Sequence, residues 1–176
     1  MSNIHLLVEF VFNMVVEKKE NDRVNAGKLF AYLLRNESLP RKEFLNGVES
    51  VLEFAEDLLI DIPQFWGYFG VMVATIILEK VLDVKFIQES SGILKSNNLD
   101  SQYVSAILCQ MTKLNSCLTH ELWSRSGFTL KVKKSPKILF IKNIQIYNCG
   151  HNSCCVAYEG NTSNLASNLC MYRHHN

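Results

Sequence analysis

The segment from Phe65 to Leu78 constrains the fold more than any other part of the chain. It carries about 14 residues without a charge and is apolar nearly all round. Such a pattern predicts a central helix buried on every side. It is too short for a membrane span, which needs about 20 residues. Other parts of the chain must therefore cover it.

The flanking text supplies helices that can do so. Ile4, Leu7, Val8, Val11, Phe12 and Val15 recur at the spacing of one helix face. Ala26, Leu29, Phe30, Leu33 and Leu34 repeat it, with Asn21 or Asp22 as the candidate N-cap. These two helices are expected to form an antiparallel hairpin. A third helix is expected to open at Ser38-Leu39-Pro40, with Ser38 capping and Pro40 in the first turn. Its buried stripe is Phe44, Val48, Val51, Leu52, Ala55 and Leu59, and it must end before Pro63. After the central helix come a weaker one between Asp83 and Leu94, and one from Ser101 to Leu114 with Val104, Ile107, Leu108 and Met111 inward. A short last helix contains Leu118, Leu122 and Trp123. Hairpin after hairpin with short connections is the layout of an α-solenoid. The fold class expected is all-α, an α-solenoid of antiparallel helix hairpins, with an irregular C-terminal tail.

The tail starts near Pro136. From Ile138 to Asn176 only Lys142, Glu159 and Arg173 are charged, and asparagine recurs. Ile138 to Tyr147 reads as a strand or an apolar tag. The division expected is a helical domain over 1–136 and a poorly structured tail over 137–176.

Composition narrows the function. Net charge is +1 over 176 residues, so no electrostatic footprint for strong nucleic-acid or anionic-membrane binding is present. The one dense basic run, Lys131, Lys133, Lys134 and Lys137, reads as a solvated loop. The N-terminus lacks a basic n-region, and Glu9 interrupts its apolar run. The chain reads as cytosolic or nuclear, where Cys109, Cys117, Cys149, Cys154, Cys155 and Cys170 would be thiols.

No glycine-rich phosphate loop, His-Glu-x-x-His or nucleophile elbow occurs. Cys149, His151, Cys154 and Cys155, with His174 and His175, offer zinc-type ligands. Their spacing matches no zinc knuckle, and free thiols are the simpler reading. His120 and Glu121 beside Cys117 can be drawn as a dyad, but no oxyanion site or orienting group accompanies them. No catalytic residue, metal or cofactor is expected.

One corner stands out. Asp57 and Asp61 lie four residues apart, with Glu56 beside them, just before Ile62-Pro63. On a helix they would share a face and offer a seat for a partner's Arg or Lys. The alternative is that Asp61 caps the following helix. Both can hold.

The run from Glu43 to Tyr68 resembles the MA3 domain of translation initiation factor 4 gamma, the scaffold subunit. Its specific parts are Ala55-Glu56-Asp57, Ile60-Asp61-Ile62-Pro63, Trp66 and Tyr68. Glu121-Leu122-Trp123 followed by Gly127-Phe128 is similar to the Leu-Trp turn of that family. The resemblance spans about residues 4 to 135. It implies stacked antiparallel helix pairs, a cytoplasmic place in translation initiation, and a partner, the DEAD-box RNA helicase factor 4A. It also implies that Glu56, Asp57, Asp61 and Pro63 contribute to that contact. Domains of this type also occur in inhibitors of the helicase; Phe65 and Trp66 favour the scaffold branch. An unrelated partner for a bare helical repeat is the remaining alternative. The family's domain usually opens with a further helix, and residues from Ile138 onward resemble nothing in it.

Overall fold

The computed structural model describes residues 3–126, 144–148 and 154–158. Its elements are α1 (Ile4–Val15), α2 (Glu20–Arg35), α3 (Arg41–Glu53), α4 (Ala55–Asp61), α5 (Phe65–Leu78), α6 (Lys85–Ser90), a 3-10 turn (Ser91–Lys95), α7 (Asp100–Leu114), α8 (Ser116–Ser126), and the strands β1 (Ile144–Asn148) and β2 (Cys154–Tyr158). The central helix is α5, as its composition requires. Ten of its residues are buried, from Phe65 to Ile77.

The helices stack in two layers. In one, α2, α5 and α7 lie side by side. Arg23 meets Tyr68 and Gly27 meets Met72 and Thr75, so α2 and α5 run in the same direction. Trp66 meets Gln102 and Gly70 meets Ala106, so α7 follows suit. In the other layer α1 lies along α3, with His5 against Glu43 and Val8 against Gly47. In chain order α1, α2, α3 and α5 alternate between the layers, the arrangement of an α-solenoid. The expected α1–α2 hairpin forms, with Phe12 stacked on Phe30 at 5.4 Å. Its two arms nonetheless make their broadest contacts elsewhere, α1 on α3 and α2 on α5. Phe12, Phe30, Phe44 and Phe69 meet between the layers with centroids 4.9 to 6.2 Å apart, close enough for tilted and offset aromatic packing.

Several local expectations need correction. The N-cap of α2 is Lys19, and Asn21 and Asp22 sit in its first turn. The N-cap of α3 is Pro40, not Ser38, and no side chain caps it. The predicted third helix is two helices. It breaks at Phe54, whose N–H reaches only three residues back, to the Val51 carbonyl at 3.3 Å. No glycine or proline marks that break, which is why the spacing alone reads as continuous. The weak fifth helix is α6 followed by the 3-10 turn.

Two short strands are described beyond the helices. β1 and β2 pair antiparallel, Ile144 opposite Tyr158 and Asn148 opposite Cys154. Residues 144–147 of the segment read as a strand or tag are thus a strand. Alternating Ile144, Gln145 and Ile146 suit it. The domain boundary near Pro136, the basic run at 131–137 and Gly127-Phe128 lie outside the described residues.

Arg23 is an unforeseen tie. It is 6% exposed. Its Nη1 donates to the Val16 carbonyl at 3.1 Å and also to the Lys18 carbonyl, closing orphan carbonyls at the end of α1. Its guanidinium lies 4.2 Å from the Tyr68 ring centroid. Arg23→Met should lower unfolding free energy by about 2 kcal/mol, because a charged donor is lost to buried carbonyls. A urea titration followed by circular dichroism reads this. An unchanged midpoint would mean that water satisfies the turn equally well.

Candidate protein-interaction corner

α4 is short, and its placement follows from which residues it buries. Ala55 is 1% exposed, and Leu58, Leu59 and Ile62 pack partly against the core. This set fixes the opposite face outward. Glu56, Asp57 and Asp61 are all exposed there, as is Pro63 in the bend beyond. The chain turns by 120° between α4 and α5, and Pro63 stops the first helix from running on.

The corner is braced from behind. Phe65 is buried. Trp66 Nε1 donates to Gln102 Oε1 at 3.1 Å, and its ring meets Tyr103 edge-on at 5.7 Å. Tyr68 carries the Arg23 guanidinium. The aromatic residues of the motif are therefore structural, holding α5 against α7 and α2.

Asp57 and Asp61 share one short helix at i and i+4, so both project from one face. Neither forms an ion pair among the described residues. Asp61 does not cap α5. The N-cap there is Gln64, and no side chain bonds to it. Of the two readings of Asp61, the capping one is not what the structure shows.

The surroundings are acidic. From Glu43 to Glu79 the sequence has seven carboxylates and no Lys, Arg or His. Glu49 feels this: partial burial raises its pKa, and the charge of Glu53 raises it further. The buried Tyr103 phenol is likewise pushed up, by burial first and by Glu49 in addition, against the pull of its 2.7 Å hydrogen bond to Ser90.

Two residues at the corner escaped the sequence reading. Phe54 is 57% exposed and Ile60 is 78% exposed. The signal was available. At helical spacing Ile60 falls with Asp57 and Asp61, not with Ala55 and Leu59.

The other candidates do not assemble. Glu121 pairs with Arg125 at 2.7 Å, not with His120, and Cys117 is an exposed free thiol. Among the described residues no group of three or more His, Cys, Asp or Glu could hold a metal ion. Cys149, His151, Cys170, His174 and His175 lie outside those residues. No single helix among them is long and apolar enough to cross a membrane.

The fold thus defines a class, a two-layered helical repeat whose exposed acidic corner offers surface chemistry, not an enclosed pocket. Residues 3–83 match the MA3 domain family. The matched span covers α1 to α5 and ends before α6. Among curated proteins, "Eukaryotic translation initiation factor 4 gamma 3" of Mus musculus and that of Homo sapiens are each 30% identical over 76 residues. That is 43% of this chain, and the chain spans about 5% of the length of those relatives.

Proposed function

We propose that residues 1–136 form a protein-interaction module of a factor 4 gamma-like translation initiation scaffold, acting in the cytoplasm. Its partner is the DEAD-box RNA helicase factor 4A, seated on Glu56, Asp57, Asp61 and Pro63. Residues 137–176 stand outside this module, and no catalytic step, cofactor or strong nucleic-acid contact belongs to it. The observation that carries the reading is the Asp57–Asp61 pair. Two carboxylates stand exposed on a braced corner, without an intramolecular cation among the described residues, inside the span that matches the MA3 family. Unpaired carboxylates fixed in this way suit charge-assisted bonds from Arg or Lys of a partner.

Binding of the chain to purified helicase tests it. The double variant Asp57→Asn, Asp61→Asn should bind at least about tenfold more weakly, with the difference shrinking as salt screens the contact. Both side chains are exposed and uninvolved in capping, so helicity should be unchanged. Equal affinity in wild type and a folded double variant rejects the site.

A further inference from the structure

We propose that Phe54 and Ile60 are apolar anchors of this corner, and that its occupant is a basic protein surface with an apolar cleft set between Lys or Arg side chains. The inference rests on the proposed seat and specifies what fits it. Scattered exposed apolar residues are ordinary and need no explanation. Here their positions are not scattered. The Leu58 N–H donates to the Phe54 carbonyl at 2.9 Å, so Phe54 belongs to the first turn of α4. At 100° per residue, Phe54 and Ile60 then fall on opposite sides of Asp57, and Asp61 continues the same stripe. Each apolar side chain therefore borders a carboxylate.

The break at Phe54 contributes to this. It lets Ala55 turn inward at 1% exposure while Phe54 stays 57% exposed. Leu58, Leu59 and Ile62 hold the other side of the helix on the core, so the anchors are presented by a fixed element. Ordering them on binding costs little for that reason.

Charge selects the occupant. Glu43 and Glu79 pair with His5 and Arg35; between them the sequence has Glu49, Glu53, Glu56, Asp57 and Asp61 and no Lys, Arg or His, which repels phosphate and favours a basic partner. Carboxylates alone would give a salt-sensitive, loosely oriented contact. Large apolar side chains beside them add a salt-insensitive part, and buried aromatic and aliphatic anchors are where interface energy concentrates.

The test measures helicase affinity at about 50 and about 300 mM salt for four proteins. These are the wild type, Phe54→Gln with Ile60→Gln, Asp57→Asn with Asp61→Asn, and a control, Leu6→Gln with Phe10→Gln. The control removes exposed apolar side chains from α1, 49% and 59% exposed. The anchor variant should lose about tenfold or more at both salt concentrations, while the aspartate variant loses mainly at low salt. The control should bind as wild type does. Circular dichroism checks folding, and the single variants Phe54→Gln and Ile60→Gln replace the pair if it unfolds. Wild-type affinity in the folded anchor variant, with loss in the aspartate variant, overturns the anchors and leaves the corner. A control that weakens as much as the anchor variant also overturns them. No binding by the wild type overturns the helicase reading itself, and the anchors with it.

Discussion

Phe12→Ala is expected to remove about 4 kcal/mol of stability. Phe12 is fully buried. Its ring lies 4.9 Å from Phe69, 5.4 Å from Phe30 and 6.2 Å from Phe44, centroid to centroid. One side chain on α1 thus touches α2, α3 and α5, and the two layers meet around it. Truncation removes the transfer free energy of a benzyl group and leaves a void that three helices must collapse into. They cannot collapse freely, since Gly27 and Gly47 already hold α2 on α5 and α3 on α1 at close range. For a domain whose whole stability is about 5–15 kcal/mol, such a loss is a large fraction. Chemical denaturation of wild type and variant followed by circular dichroism gives the difference. Phe12→Leu should recover more than half of it, because most of the volume returns. A loss below about 1 kcal/mol for Phe12→Ala would mean that α1 does not close the core.

The same residues show what sequence could and could not disclose. Phe12, Phe30 and Phe44 are legible as core because helical periodicity assigns each to the inward face of its own helix, and Phe69 because its helix is apolar nearly all round. That the four rings meet is a property of layer stacking, and periodicity within one helix carries no information about its neighbour. The central position of α5 was legible from composition, since a helix apolar all round has nowhere else to go. The break at Phe54 was not, since no breaker residue stands there. The buried Arg23 was also missed. Its burial depends on carbonyls of the α1–α2 turn and on the Tyr68 ring, partners that only the fold brings near.

The corner divides along similar lines. That Asp57 and Asp61 share a face follows from spacing alone. That Asp61 does not cap α5 depends on the path through Ile62, Pro63 and Gln64, which a cap preference cannot fix. The exposure of Phe54 and Ile60 could have been read from their helical positions. An apolar residue draws no attention there unless its neighbours are already known to face water. The basic character proposed for the partner rests on the absence of cations between Glu43 and Glu79. Its identity is not, because many basic surfaces satisfy the same sign.

Gly47→Val should be the second large effect, about 3 kcal/mol destabilising, by forcing α1 away from α3. A Cβ at Gly47 would stand 2.5 Å from Val8 Cβ and 2.6 Å from the His5 carbonyl oxygen. Neither is the end of a flexible side chain. The carbonyl is backbone, and Val8 is fully buried, with a β-branched side chain that has one preferred helical rotamer. The helix itself would have to move. The opposing term is propensity, since replacing a mid-helix glycine with alanine gains about 1 kcal/mol. Gly47→Ala therefore reports the overlap minus that gain and should still destabilise. Valine adds two methyls to the same overlap with a smaller propensity gain, so its cost is greater. Gly27→Ala makes the equivalent test in the other layer, with Thr75 Cβ at 2.7 Å and the Met72 carbonyl oxygen at 2.8 Å. Gly92 supplies the contrast, with nothing within 4 Å of its would-be Cβ, so Gly92→Ala should be close to neutral. Thermal denaturation of the four variants separates overlap from propensity. If the layers are clamped at these two glycines, Gly47 and Gly27 variants fall below wild type while Gly92→Ala does not. A Gly47→Ala protein more stable than wild type would mean that α1 rides further from α3 than 2.5 Å implies, and the expected loss at Phe12 would shrink with it.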